Sequence, residues 1–251
     1  MNEFEASKKI VKKFMDGIRK EAKDVKDENL LRLGIVQALI YLDFLETIFS
    51  RYQENSQLYR ENFKKLQSSF QRDGKSHTLT SEQEAMFEES SRLSLNVRLD
   101  IESFYLFSHI LISKLTNFPE RYFKHAFRRG LSCGSHNQFW QSMGKNKNFD
   151  VPKNLNDTTS WLTEKIVDYR DKIITHTFKA EHIDRMLLKG YMFDAEGSVV
   201  TTSNVLYPEN EMPKNVNSEK LVDLIAKLNT YIKEYIEFLE QNADKSILSG
   251  V

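Results

Sequence analysis

Apolar residues recur along most of this chain at the three-and-four spacing of one helix face, with polar residues between them. From about Ala6 to Lys23 the stripe is Ile10, Val11, Phe14 and Ile18 set among basic residues, which predicts an amphipathic first helix. From about Asp27 to Arg72 the series Leu31, Ile35, Ala38, Leu42, Leu45 and Phe49 is resumed by Tyr59, Phe63, Leu66 and Phe70. That pattern predicts a second, long helix with a break near Gln53 to Gln57. Ser81 followed three residues later by Glu84 has the pattern of a capping box. It opens a third helix through Met86, Ser90, Leu93, Val97, Ile101, Phe104, Ser108, Leu111 and Leu115, close to ~50 Å long at ~1.5 Å per residue. Pro119 suits the first turn of a further short helix reaching Arg129, which Gly130 would end.

The next stretch, Leu131 to Thr158, is polar and Asn-rich and contains Gly134, Gly144 and Pro152, so it reads as a connection with a turn or two of helix at Asn137 to Met143. Thr159 or Ser160 then caps a helix through Trp161, Leu162, Ile166, Tyr169 and Ile173, ending near Phe178. Tyr191 to Thr202 alternates around an Asp-Ala-Glu-Gly turn and predicts a small hairpin. A final helix opens at Ser218 and runs through Leu221, Leu224, Ile225, Leu228, Tyr231, Ile232, Tyr235 and Leu239. The expected fold is all-α, a long-helix bundle forming a single domain over 1–251. Its core spans 27–178, a hairpin addition 190–207, and an extra carboxy-terminal helix 218–242 packs on the outside.

Composition agrees with long helices, since 251 residues contain only nine Gly and four Pro. The 36 basic and 36 acidic side chains cancel, so any contact with nucleic acid must be local and cannot rest on a global positive field. A single cysteine, Cys133, excludes an intramolecular disulfide. No run reaches the roughly 20 uninterrupted apolar residues of a membrane span, and Met1 to Lys23 lacks the apolar core of a signal peptide. The expectation is a cytoplasmic protein with no membrane partner.

Candidate chemistry concentrates in Asp168-Tyr-Arg170-Asp171-Lys-Ile-Ile-Thr-His176. An arginine, an acidic residue directly after it and a histidine six positions beyond the arginine resemble the signature of the HEPN superfamily of helical bundles. The stretch Arg98-Leu-Asp100-Ile-Glu102-Ser-Phe-Tyr-Leu-Phe-Ser-His-Ile-Leu-Ile is similar to the second long helix of uncharacterised bacterial members. The resemblance implies a metal-independent endoribonuclease in a toxin–antitoxin or defence setting. His176 would move a proton at a ribose 2′-hydroxyl, Arg170 would steady the phosphorane charge, and Asp171 would support them. An imidazole titrating near neutrality and a permanently cationic, forked guanidinium are suited to those two tasks. On an ideal helix Arg170 and His176 stand about 120° apart and about 9 Å along the axis. They do not share a face, and family members are similar in resolving this by dimerising, so the resemblance implies a homodimer.

Each candidate has a plainer alternative. Arg170 could bridge to Asp100, Glu102 or Glu164, and His176 could cap a helix end, where the dipole favours a cation. Asp100 and Glu102, amid large apolar neighbours, are supporting candidates: a carboxylate buried there requires a cationic partner, for which Arg170 is the first choice. Arg98 and Glu102, four apart, are also placed for a solvated pair. Arg121, Lys124, Arg128 and Arg129, interleaved with Tyr122, Phe123 and Phe127, could contact RNA phosphates and bases, or form the wet face of an amphipathic helix. Cys133 with His136, and His176 with Glu181 and His182, offer too few ligands for a metal site. No cofactor is expected. The competing functional reading is a non-catalytic helical module that binds a nucleotide, an antitoxin or another protein.

Overall fold

The computed structural model describes residues 3–21, 28–70, 78–123, 136–168, 190–193, 199–202 and 220–249, and these are mostly helical. In order they form α1 (Glu5–Glu21), α2 (Glu28–Ser69), α3 (Ser81–Tyr122), α4 (His136–Lys145), α5 (Lys153–Leu162), a π-helical segment (Thr163–Asp168), β1 (Gly190–Phe193), β2 (Val199–Thr202), α6 (Leu221–Gln241) and a 3₁₀ turn (Ala243–Lys245). β1 and β2 pair antiparallel with Gly190 opposite Thr202 and Phe193 opposite Val199, while the expected turn at 194–198 lies outside the described residues.

The chain divides into two compact units. One comprises Met1–Glu46, Tyr105–Ile183 and Val222–Val251. Its centre is α6, where Leu224, Leu228, Tyr231, Ile232, Tyr235, Phe238 and Leu239 have no exposed surface. The carboxy-terminal helix is therefore the heart of this unit, contrary to the outside position expected for it. Its exposed residues Asp223, Lys227, Thr230, Lys233, Glu237 and Glu240 form one stripe, and apolar residues fill most of the remaining positions. Phe14 of α1 lies edge-on to Phe118 and Tyr122 of α3, and Phe123, Phe149 and Phe238 continue the aromatic cluster.

Pro119 does not start a helix here; it lies inside the last turns of α3. A proline has no N–H to give the carbonyl four residues back, which in this helix belongs to Leu115. That carbonyl accepts the Tyr235 hydroxyl at 2.5 Å instead, from a tyrosine with no exposed surface. The helix passes through its proline because α6 supplies the missing donor.

The segment expected to be a connection is largely ordered structure. Phe139, Trp140 and Met143 bury one face of α4, Phe149 is buried beyond it, and Leu155, Thr158 and Thr159 bury one face of α5. Helix α5 begins at Lys153 after Pro152, well before the Thr159 or Ser160 cap. Its polar residues misled because they serve the packing: Asn154 donates to Glu234 of α6 at 2.8 Å.

In the other unit, Thr47–Phe104 and Asp184–Leu221, the later part of α2 lies antiparallel to the earlier part of α3. Asn62 reaches the Met86 carbonyl at 2.8 Å and the Ser90 hydroxyl at 2.9 Å. Phe49, Tyr52, Leu66, Leu93, Val97, Ile101 and Phe104 are buried here. No break occurs at Gln53 to Gln57, because Asn55 and Ser56 face the pairing and are not loop residues. The capping box stands one residue ahead of its expected place. Thr80 Oγ1 accepts the Gln83 amide at 3.2 Å, and Gln83 Oε1 accepts the Thr80 amide at 3.0 Å. Gln83 Nε2 also donates to the Ser69 carbonyl at 3.0 Å, so one side chain closes the start of α3 and the end of α2.

Candidate functional site

Arg170, Asp171 and His176 lie outside the described residues, as do Lys124, Arg128, Arg129 and Cys133. The structure does describe the helical run that leads to the motif. After Leu162 the chain widens into the π-helical turn Thr163–Asp168, in which Ile166 and Val167 are buried. Such wide turns are rare and recur beside functional positions.

This turn is held by a polar seam between α4 and α6. His136 is 1% exposed, with Nδ1 3.2 Å from Thr163 Oγ1 and its ring edge-on to Tyr231 at 5.8 Å. Trp140 Nε1 donates to the Tyr231 hydroxyl at 3.3 Å. Burial pushes the Tyr231 phenol above its ordinary value, and its hydroxyl serves as a hydrogen-bonding post for Trp140. His136, weighed in the sequence as half of a metal pair, is here a core histidine. Among the described residues no group of three or more His, Cys, Asp or Glu could hold a metal ion.

Asp100 is 1% exposed, and its partners come from α2. Arg51 presents Nε at 2.5 Å to one carboxylate oxygen, to which its Nη2 is also paired, and Asn55 donates to the other oxygen at 2.8 Å. The cationic partner that burial required is thus Arg51 in the described structure, whereas the first-choice Arg170 falls outside it. No local pattern pointed to Arg51: it is the antiparallel register, with Ser69 facing Gln83, that brings Arg51 opposite Asp100. Glu102 turns away from Asp100, since two residues are about 200° apart on a helix. Its carboxylate takes Arg98 Nε at 3.1 Å along α3, with both side chains partly exposed. The two supporting candidates therefore do not converge.

Arg121 is exposed at the end of α3, beside the buried Tyr122 and Phe123. Tyr122 and Phe123 enter the core, as in an ordinary amphipathic helix end.

No family model matches the chain. Neither the curated proteins nor the solved structures contain a match to it.

Sequence reasoning also missed a buried cation. Lys8 of α1, its side chain 9% exposed, pairs with Asp43 and Glu46 of α2. Burial pulls its ammonium down, but the hydrogen bonds and charges of Asp43 and Glu46 outweigh this and hold it above its ordinary value. By length and composition, α2 from Leu31 to Ser69 is apolar enough to cross a membrane, and a third of its most apolar stretch is buried.

Proposed function

We propose that this chain is a metal-independent, RNA-cleaving helical protein of the HEPN type. His176 is the proton-transfer residue, Arg170 the phosphate-stabilising one and Asp171 their support. The observation that carries this reading is the Arg170-Asp171-x4-His176 motif itself, directly downstream of a buried, seam-held π-turn ending at Asp168. A guanidinium and an imidazole need a rigid approach to be useful, because a displacement of about 1 Å costs on the order of 100-fold in rate. The antiparallel α2–α3 pairing is the scaffold such a bundle requires.

The test is cleavage of single-stranded RNA by the purified chain in excess chelator. His176→Ala and Arg170→Ala are each expected to lower the rate by roughly 100-fold or more without lowering the melting temperature. A His176→Ala protein that cleaves as fast as the original rules the proposal out.

A second reading is favoured by a separate observation. Tyr59, Phe63 and Leu66 of α2 and Phe87, Leu95 and Arg98 of α3 line a groove of about 400 Å³, in which Phe63, Phe87 and Leu95 are exposed. Exposed apolar surface of this kind suits a protein-binding helical module such as an antitoxin or scaffold would use. A chain that cleaves no RNA but whose partner binding is lost in Phe87→Glu would support it.

A further inference from the structure

Over its first half α2 carries a second apolar face that the bundle does not use. Leu31, Ile35, Ala38, Leu42 and Leu45 are buried, whereas Leu33, Val36, Ile40 and Phe44 are 52, 38, 42 and 44% exposed. At about 100° per residue the exposed four fall within about 80° of one another, opposite the buried stripe. Phe107 of α3 adjoins them, its ring 5.5 Å from that of Phe44. A helix that is apolar all round normally has cover all round, yet the most apolar stretch of α2 is one-third buried.

Helix α1 lies alongside and supplies charge. Lys8 is held on the seam by Asp43 and Glu46 of α2. Val11 and Phe14 of α1 line one small void with Ile35 and Ala38 of α2 and Tyr235 and Leu239 of α6, so α1 and α2 turn their buried stripes into the same core. Their opposite faces therefore open on the same side. On α1 that outer face carries Lys9, Lys12, Lys13, Asp16 and Lys20, with Arg19 at its edge toward α2, all of them exposed. Lys9 is partnered by Glu5 at 3.7 Å. Lys12, Lys13, Arg19 and Lys20 pair with no carboxylate among the described residues, and on that face only Asp16 opposes them. The whole chain has no net charge, so this excess of cation belongs to one face. The helices run antiparallel, and the register that sets Lys8 against Asp43 sets Lys12 beside Leu39 and Ile40, next to the apolar stripe.

We propose that this α1–α2 face docks on an anionic lipid bilayer. Leu33, Val36, Ile40 and Phe44 enter the acyl boundary, while Lys12, Lys13, Arg19 and Lys20 meet the lipid phosphates and the negative surface potential. Their long stems lie along apolar surface while their charged heads stay in water. The expectation of no membrane partner concerns spans and leaders, and a surface-docked face needs neither. Nucleic acid would match the cations but give no role to Leu33, Val36 and Ile40, which neither stack nor hydrogen-bond. A protein helix lies in a groove, whereas this face is a convex ridge.

No residue of the Arg170 to His176 motif takes part, so docking stands or falls independently of RNA cleavage. The test is cosedimentation of the full chain with phosphatidylglycerol vesicles and, separately, with phosphatidylcholine vesicles. Retention by the anionic vesicles alone is expected, weakening as salt rises. Lys12→Gln and Lys13→Gln together should weaken it about 25-fold, at roughly fivefold per cation, and Ile40→Gln about tenfold. Circular dichroism reports whether each variant is folded, and the exposed lysine pair keeps the test valid should Ile40→Gln fold poorly. A chain that leaves phosphatidylglycerol vesicles unbound overturns the proposal, whether the face then holds RNA, a protein or a second copy. Equal binding to both kinds of vesicle, or binding unchanged by the lysine pair or by a folded Ile40→Gln, overturns it as well.

Discussion

Several single residues in this protein close accounts that the helices leave open. The Tyr235 hydroxyl replaces the amide that Pro119 cannot offer to Leu115. Tyr235→Phe should leave a buried carbonyl unpaired and cost about 1–3 kcal/mol in urea unfolding. In a Pro119→Ala background, where the helix regains its own donor, the same change should cost markedly less. Equal costs in the two backgrounds would show that the hydroxyl has no such role. The Arg51–Asp100 pair predicts an asymmetry. Asp100 is sequestered while the Arg51 side chain is 52% exposed, so Arg51→Met strands a buried carboxylate and should cost roughly 3 kcal/mol. Asp100→Asn leaves a cation that water can still reach and should cost less.

Lys8 carries a pH signature. Its folded-state pKa is raised above the ordinary 10.5, so the pair's contribution is complete below that pH and is lost as the pH rises through the folded value. Lys8→Met should destabilise by roughly 1–2 kcal/mol at neutral pH, and the gap from the parent chain should close under alkaline conditions above pH 10.5. A gap that stays constant through that window would mean that Lys8 acts by packing alone.

At the scale of elements, periodicity placed the helices well and their ends less well. Stripes such as Leu31 to Phe49 and Leu221 to Leu239 were legible because a buried face must repeat every turn. The ends were harder, since caps depend on which of several adjacent polar residues turns inward. Thr80 and Gln83 form the box where Ser81 and Glu84 have the same spacing. Thr80→Ala should cost about 1 kcal/mol. Gln83→Ala should cost more, because it also strips the Ser69 carbonyl at the end of α2; thermal melts that rank the two the other way would contradict the shared closure. Polar composition concealed α4 and the start of α5 for a related reason. Asn154 looks like a loop residue until Glu234 is set beside it.

At the scale of the whole molecule, the dimer that the resemblance implies bears on the proposed cleavage. If each cleft takes its arginine from one chain and its histidine from the other, mixing inactive Arg170→Ala and His176→Ala chains should restore RNA cleavage. Half of the dimers would then hold one intact cleft of two, giving about a quarter of the parent rate. A mixture as inactive as its components would place the two residues within one chain.

Local spacing by itself determined that the described residues are mostly helical, where the long helices run and many of the residues that face inward, because burial is repeated every turn and leaves its period in the sequence; Phe63 and Phe70 of the predicted α2 stripe are exposed instead. It also displayed the Arg170 to His176 motif and the need of a buried Asp100 for a cation. Only tertiary structure decided that Arg51 and Asn55 meet that need, that Tyr235 lets α3 run through Pro119, and that α6 is a centre. Each of these joins residues tens of positions or more apart, and a partner at such a distance is chosen by packing, which no local pattern encodes.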